Sequence, residues 1–283
     1  MSNNQSAKPS ADQLSADQPC PNLGRRFSGI AALYGDVGLQ CLSKAHVCVI
    51  GIGGVGSWAA ESLARSAIGE LTLIDMDIVS ESNINRQLLA LTDTIGRDKG
   101  LVMHERITQI NPQCRVTVVD EFISSVNLAE LISNEFDFVI DCIDDFRTKA
   151  ALIHYCRQQK IKIITIGGAG GQIDPSKIRQ TDLSRTQHDV LLARTRKLLR
   201  QDYSFARNTK RSFGVPCVYS DEQLIYSDGV GGVSPQRPES NLNDGQTSSA
   251  LNCAGGIGSI THVTASFAFA ATAYVLQELT NAS

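Results

Sequence analysis

The chain has no C-x-x-C pair. Its eight cysteines, Cys20, Cys41, Cys48, Cys114, Cys142, Cys156, Cys217 and Cys253, all lie further apart, which argues against a zinc ribbon. No apolar leader opens the sequence either. Residues 1–24 are rich in Ser, Asn, Gln, Asp and Pro and read as a disordered tail. Free thiols in a reducing cytoplasm are therefore expected. A net charge of −3 excludes capture of a polyanion by bulk electrostatics and leaves only a local patch for that purpose. Internal repeats are absent. Charge is also missing from Cys253 to Gln277, which contains no Lys, Arg, Asp or Glu. That run meets the length of about twenty residues needed to span a bilayer. Its Gly, Ser and Thr content and His262 favour a buried core helix, so membrane association is not expected.

Strand and helix patterns alternate from Ala45 onward. Short apolar strands are expected at Val47–Ile50, Leu71–Ile74, Val116–Val119, Phe138–Ile140 and Ile161–Ile166. Helices are expected over 55–67, 96–110, 126–133 and 147–159, with a short helical lead-in over 25–43. Continuous apolar strands alternating with helices predict an α/β fold: a doubly wound, mostly parallel Rossmann-like sheet with helices on both faces. Ligands then belong at the carboxyl ends of the strands. The expected organisation is a tail (1–24), a nucleotide-binding unit (25–171), and a basic segment, mobile loop and C-terminal helix (172–283) completing the same globule. The second part carries the local charge. Between Lys177 and Arg211 stand ten Lys and Arg against three Asp.

The loop Gly51-Ile52-Gly53-Gly54-Val55-Gly56 follows a strand and opens a helix. Its G-x-G-x-x-G spacing suits a tight turn, close backbone approach to phosphate and helix–strand packing. Free N–H groups at the helix start face the anion. Asp75 ends the next strand, where a carboxylate can bond a ribose hydroxyl. These features permit NAD as readily as ATP.

The polar cluster that follows favours ATP. Asn83, Asn85, Arg86 and Gln87 come after the second strand, and Lys99 begins the next helix. Arg86 offers a planar fork for phosphate and Lys99 a point charge. Past the strand at 138–142, Asp144 and Asp145 sit where a carboxylate could hold Mg²⁺. Equally, an Asp there could cap the helix that follows, and the two could divide these roles.

In the basic segment, Arg194, Arg196, Lys197 and Arg200 are candidate nucleic-acid contacts, with Tyr203, Phe205 and Phe213 placed to stack on the bases of a single-stranded loop. A solvated amphipathic helix would account for the same charges.

Together, G-x-G-G-x-G at 51–56, D-x-D at 75–77, N-x-N-R-Q at 83–87, Lys99 and C-x-D-D at 142–145 resemble the ubiquitin-activating-enzyme-like adenylating superfamily. Within it the chain is most similar to the tRNA threonylcarbamoyladenosine dehydratases. That likeness rests on Arg26-Phe27, Leu33-Tyr34-Gly35, Gly167–Gly171, Val215–Ser220 and the run from Cys253 to Gly258.

The resemblance implies ATP-dependent activation of the threonylcarbamoyladenosine carboxylate in tRNA, as an acyl adenylate, and ring closure by a nitrogen of the same group. It implies Arg86, Lys99 and Asp144 as catalytic residues, with Asp144 holding Mg²⁺. It also implies Gly51, Gly53, Gly54, Gly56, Asp75, Asp77, Asn83, Asn85 and Gln87 around the nucleotide. A homodimer, a monovalent cation (Na⁺ or K⁺) and sulfur-relay partners are further implications. Some relatives supply an arginine across the dimer; the matching position here is Gly29, with Arg25 and Arg26 beside it. The alternative is adenylation of a sulfur-carrier protein, with Cys217 or Cys253 as a transfer thiol.

Overall fold

A computed structural model describes residues 22–236 and 257–281. Cys20, Cys253 and most of the expected tail and long loop lie outside the described residues.

Seven strands form one sheet: β1 (His46–Ile50), β2 (Glu70–Ile74), β3 (Arg115–Val119), β4 (Phe138–Asp141), β5 (Ile163–Ile166), β6 (Ile178–Asp182) and β7 (Pro216–Ser220). Their order is β3-β2-β1-β4-β5-β7-β6. Every pairing is parallel except β6 with β7. The connection reverses direction between β1 and β4, which makes the gap at their carboxyl ends the natural ligand crevice.

Alternate side chains along each strand feed opposite cores. Val47 and Val49 of β1 join Leu71, Leu73, Phe138 and Ile140 on one face. Cys48 and Ile50 join Ile74 and Val139 on the other. Helices α1 (Leu23–Lys44), α2 (Gly56–Arg65), α3 (Lys99–Ile110) and α7 (Thr261–Thr280) cover the first face. Helices α4 (Leu128–Leu131), α5 (Phe146–Gln159) and α6 (Val190–Asp202) cover the second. Two-sided burial explains why the strands read as unbroken apolar runs.

Helix α1 bends where Gly35 takes φ 72°, a left-handed conformation that glycine adopts without strain. Of the charge-free C-terminal run, residues 261–277 lie in α7, with Val263, Phe267, Ala271 and Val275 buried. Among the described residues no helix is long and apolar enough to cross a membrane.

Candidate active site

The turn after β1 sets the geometry. Gly51 has φ +84°, and a Cβ at Gly56 would run into the Gly51 carbonyl oxygen. Larger residues at these positions would open the turn and lift the start of α2 away from the strand. Asp75, at the end of β2, closes the loop. Its carboxylate accepts the Ile52 N–H at 2.5 Å and the Asp77 N–H at 2.8 Å. Burial pushes the Asp75 carboxyl up, against the pull of Lys99 and these two N–H groups.

The cluster at 83–87 is held from two directions. Asn83 folds back to accept the Ser80 N–H at 3.1 Å. From the other side comes the start of α7. Thr261 Oγ1 donates to the Asn85 carbonyl at 2.6 Å, and Asn85 Nδ2 donates to the Ser259 carbonyl at 2.7 Å. Trp58 Nε1 and Thr264 Oγ1 both donate to the Arg86 carbonyl. Arg86 is thereby fixed at its backbone, while its guanidinium rests on the Ser82 carbonyl and the Asn85 side chain. Lys99, buried at the first position of α3, pairs with Asp77 Oδ2 at 2.8 Å.

Across the crevice the two neighbouring aspartates differ in their surroundings. Asp145 caps α5, accepting from Thr148 N at 2.8 Å and Thr148 Oγ1 at 2.9 Å. Asp144 is left exposed at the cavity wall. Beneath them lies a pair that the sequence did not announce. Lys149 and Asp141, both fully buried, form an ion pair at 2.8 Å. Thr165 Oγ1 also donates to Asp141 Oδ2 at 2.6 Å. The remaining oxygen, Oδ1, accepts the Ile143 N–H at 3.0 Å, which fixes the turn carrying Asp144.

One cavity of about 560 Å³ joins these parts. Gly51, Gly53, Gly54, Asp75, Asp77, Asn83, Arg86, Gln87, Lys99 and Asp144 line it. Asn85 and Gly56 do not; they support the lining residues from behind. The cavity continues past β5 along Gly167, Gly168 and Gln172 to Val190 and Leu191 at the start of α6. Asp189 caps that helix, accepting from Leu192 N and Gly168 N, both at 2.8 Å. Burial pushes its carboxyl up.

The basic segment departs from expectation. Phe205 and Phe213 are core residues, 7% and 1% exposed, packed edge-to-face at 5.1 Å between α5 and α6. They are closed to bases because their side chains fill the second core. Arg200 lies over the Phe213 ring at 5.0 Å, and Arg196 turns in to the Thr186 hydroxyl. Arg194 and Lys197 alone of the four candidates are exposed. Cys217 is fully buried and its thiol is pushed far up by desolvation, so it is a packed hydrophobe rather than a nucleophile. Arg26 donates to the Gln109 and Ile110 carbonyls at the end of α3, which occupies it within its own chain.

A glycine turn at the β1/β4 switch point, a buried lysine and a fixed arginine define a nucleotide-binding α/β protein built for phosphate chemistry. The chain belongs to the ThiF family, whose model matches residues 27–282. It is 50% identical over 258 residues to the tRNA threonylcarbamoyladenosine dehydratase of Haemophilus influenzae, covering 91% of this chain and 94% of that protein. The enzyme of the same name from Escherichia coli is 49% identical over 255 residues, covering 90% and 93%. A solved structure of E. coli tRNA N6-threonylcarbamoyladenosine dehydratase in complex with ATP is similar at a TM-score of 0.79 and 48% identity, covering 90% of this chain and 94% of that one.

Proposed function

We propose that this chain uses ATP to activate the carboxylate of threonylcarbamoyladenosine in tRNA and closes that group into a ring. The observation that carries the reading is one continuous cavity, which runs from the glycine turn and Lys99 past the ends of β4 and β5 to Gln172 and the start of α6. A nucleotide and an acyl group fit side by side in such a space.

The ATP half suits its ligand. The glycine turn presents bare backbone, and Gln87, 6% exposed, has an Oε1 with no hydrogen-bond partner. In the first step a carboxylate oxygen bonds to the α-phosphorus and pyrophosphate leaves. In the second a nitrogen of the threonylcarbamoyl group attacks the acyl carbon, loses its proton, and expels AMP, which keeps the carboxylate oxygen. The nucleophile is tethered to its target, so the second step gains a large effective molarity. Arg86 and Lys99 neutralise charge that develops on the phosphates. Mg²⁺ supplies the same neutralisation when bound, and Asp144 is the residue that would hold it. No group of three or more His, Cys, Asp or Glu is assembled among the described residues. That suits an ion which takes one or two carboxylates and completes its shell with phosphate oxygens and water.

The RNA reading rests on Arg194 and Lys197. Both are exposed, and neither has an ion-pair partner among the described residues. The double variant Arg194→Glu/Lys197→Glu is expected to weaken tRNA binding by about tenfold or more at moderate salt and to lower its salt slope by roughly 1 to 2. ATP affinity stays unchanged. Unaltered tRNA affinity would remove this surface from the proposal. A wild-type chain that ignores tRNA and binds a sulfur-carrier protein would favour the alternative reading.

The remaining implications join the proposal on separate grounds. Leu33 and Val37, 80% and 65% exposed on α1, offer apolar surface for a homodimer, and Arg25 stands on the same helix. Free thiols at Cys48, Cys114, Cys142, Cys156 and Cys217 fit a reducing cytoplasm. With Cys217 buried, Cys253 is the remaining one of the two candidate transfer thiols.

A further inference from the structure

Gln172 is out of place by the ordinary rules of a protein interior. It is 4% exposed and lines the far end of the cavity, beyond β5. Nε2 donates to the Gly168 carbonyl at 3.0 Å, and Oε1 has no partner. The amide cannot be turned over, because a carbonyl oxygen has nothing to donate to Gly168. A buried acceptor without a donor is costly, and leucine would fill nearly the same volume without that cost.

The residue is also held still. Gly171 before it donates to the Gly258 carbonyl at 2.7 Å and accepts from Ile225 N at 2.8 Å. Beyond it, Ile173 N and Asp174 N donate to the buried carboxylate of Glu222. Backbone on both sides and the amide nitrogen are all pinned, so the unpaired oxygen is a preorganised acceptor in a wall that also carries Ala169, Leu191, Leu224 and Ile257, with Asp189 and Ser259 as its other polar members.

The ligand that meets it must bring a donor. Phosphates and carboxylates bring none. The nucleotide belongs over β1 and β2, and β5 stands two strands from β1, roughly 10 Å away at the usual spacing. Gln87 is the free acceptor on that side. What reaches Gln172 is therefore the acyl substrate, and on the function proposed above that group is a urea, which carries N–H donors beside its carboxylate.

We infer that Gln172 recognises the substrate: its Oε1 accepts a urea N–H of the threonylcarbamoyl group and holds that group over β5 with its carboxylate toward the nucleotide. Gln172 is a specificity residue, separate from the groups that handle ATP. An adenosine without the threonylcarbamoyl group keeps its N6 amino hydrogens but lacks the second urea N–H, the one on the threonine nitrogen, and this is the donor Gln172 would accept.

The test is equilibrium binding without ATP. The full chain is titrated with an anticodon stem-loop RNA bearing threonylcarbamoyladenosine and with the same RNA bearing adenosine. Wild type prefers the modified RNA. Gln172→Leu and Gln172→Met bring that preference down by about tenfold, the worth of one hydrogen bond to a buried group. Affinity for the adenosine RNA and ATP affinity stay at wild-type values, and Tm does not fall. A full preference retained by either folded variant overturns the inference while leaving the proposed function in place. Variants that lose ATP affinity in parallel also overturn it, since the role would then be structural. A wild type without any preference for the modified RNA removes the proposed function itself.

Discussion

Asp144→Ala is expected to slow ATP–pyrophosphate exchange by on the order of 10²–10³-fold, the usual loss when one charge-stabilising group is removed from a transition state. Tm should stay at the wild-type value, because Asp144 is exposed at the cavity wall. The neighbouring substitution should do the reverse. Asp145 is the cap of α5, bonded to Thr148 through both N–H and hydroxyl. Asp145→Ala should cost about 1 kcal/mol of stability and disturb exchange far less. Adjacent aspartates with opposite phenotypes would separate the metal-holding role from the structural one. Equal loss of exchange in both variants would mean that the turn, and not the Asp144 carboxylate, is what matters.

Lys149→Met should be the most destabilising single change near the site, by about 3–5 kcal/mol, because it leaves Asp141 as an uncompensated buried charge. The consequence reaches function, since Asp141 Oδ1 fixes the Ile143 N–H and with it the turn that presents Asp144. Asp141→Asn/Lys149→Met removes both charges yet keeps an oxygen for Ile143, and should recover most of the loss. Denaturant unfolding of the two variants decides the matter. A double variant no more stable than the single one would show that packing around Lys149, and not its charge, is the larger effect.

Much of the nucleotide half could be read from the sequence because its signals are local. The glycine spacing at 51–56, Asp75 at a strand end and Lys99 at a helix start each depend on a few neighbouring residues, and all of these but Gly56 line the cavity. The sequence leaves open which of Asp144 and Asp145 caps α5, and the Thr148 hydrogen bond assigns the cap to Asp145.

What was hidden depends on contacts between distant segments. Lys149 looks like one more polar residue on a helix until β4 and β5 bring Asp141 and Thr165 against it. The clamp on Asn85 comes from Thr261, 176 residues away. Phe205 and Phe213 depart from the sequence expectation for a related reason. Interleaving with Lys and Arg suggested an exposed stacking face, but their rings close the core beneath α6 while Arg200 and Arg157 lie over them. Gln172 carried no motif at all; only its burial and its unpaired oxygen mark it.

The central claim is best tested by mass analysis of nucleosides from tRNA incubated with the purified chain, ATP and Mg²⁺. The account predicts that threonylcarbamoyladenosine becomes lighter by the mass of one water, only when ATP is present. An unchanged nucleoside mass, with the chain active on a carrier-protein C-terminus instead, would contradict it.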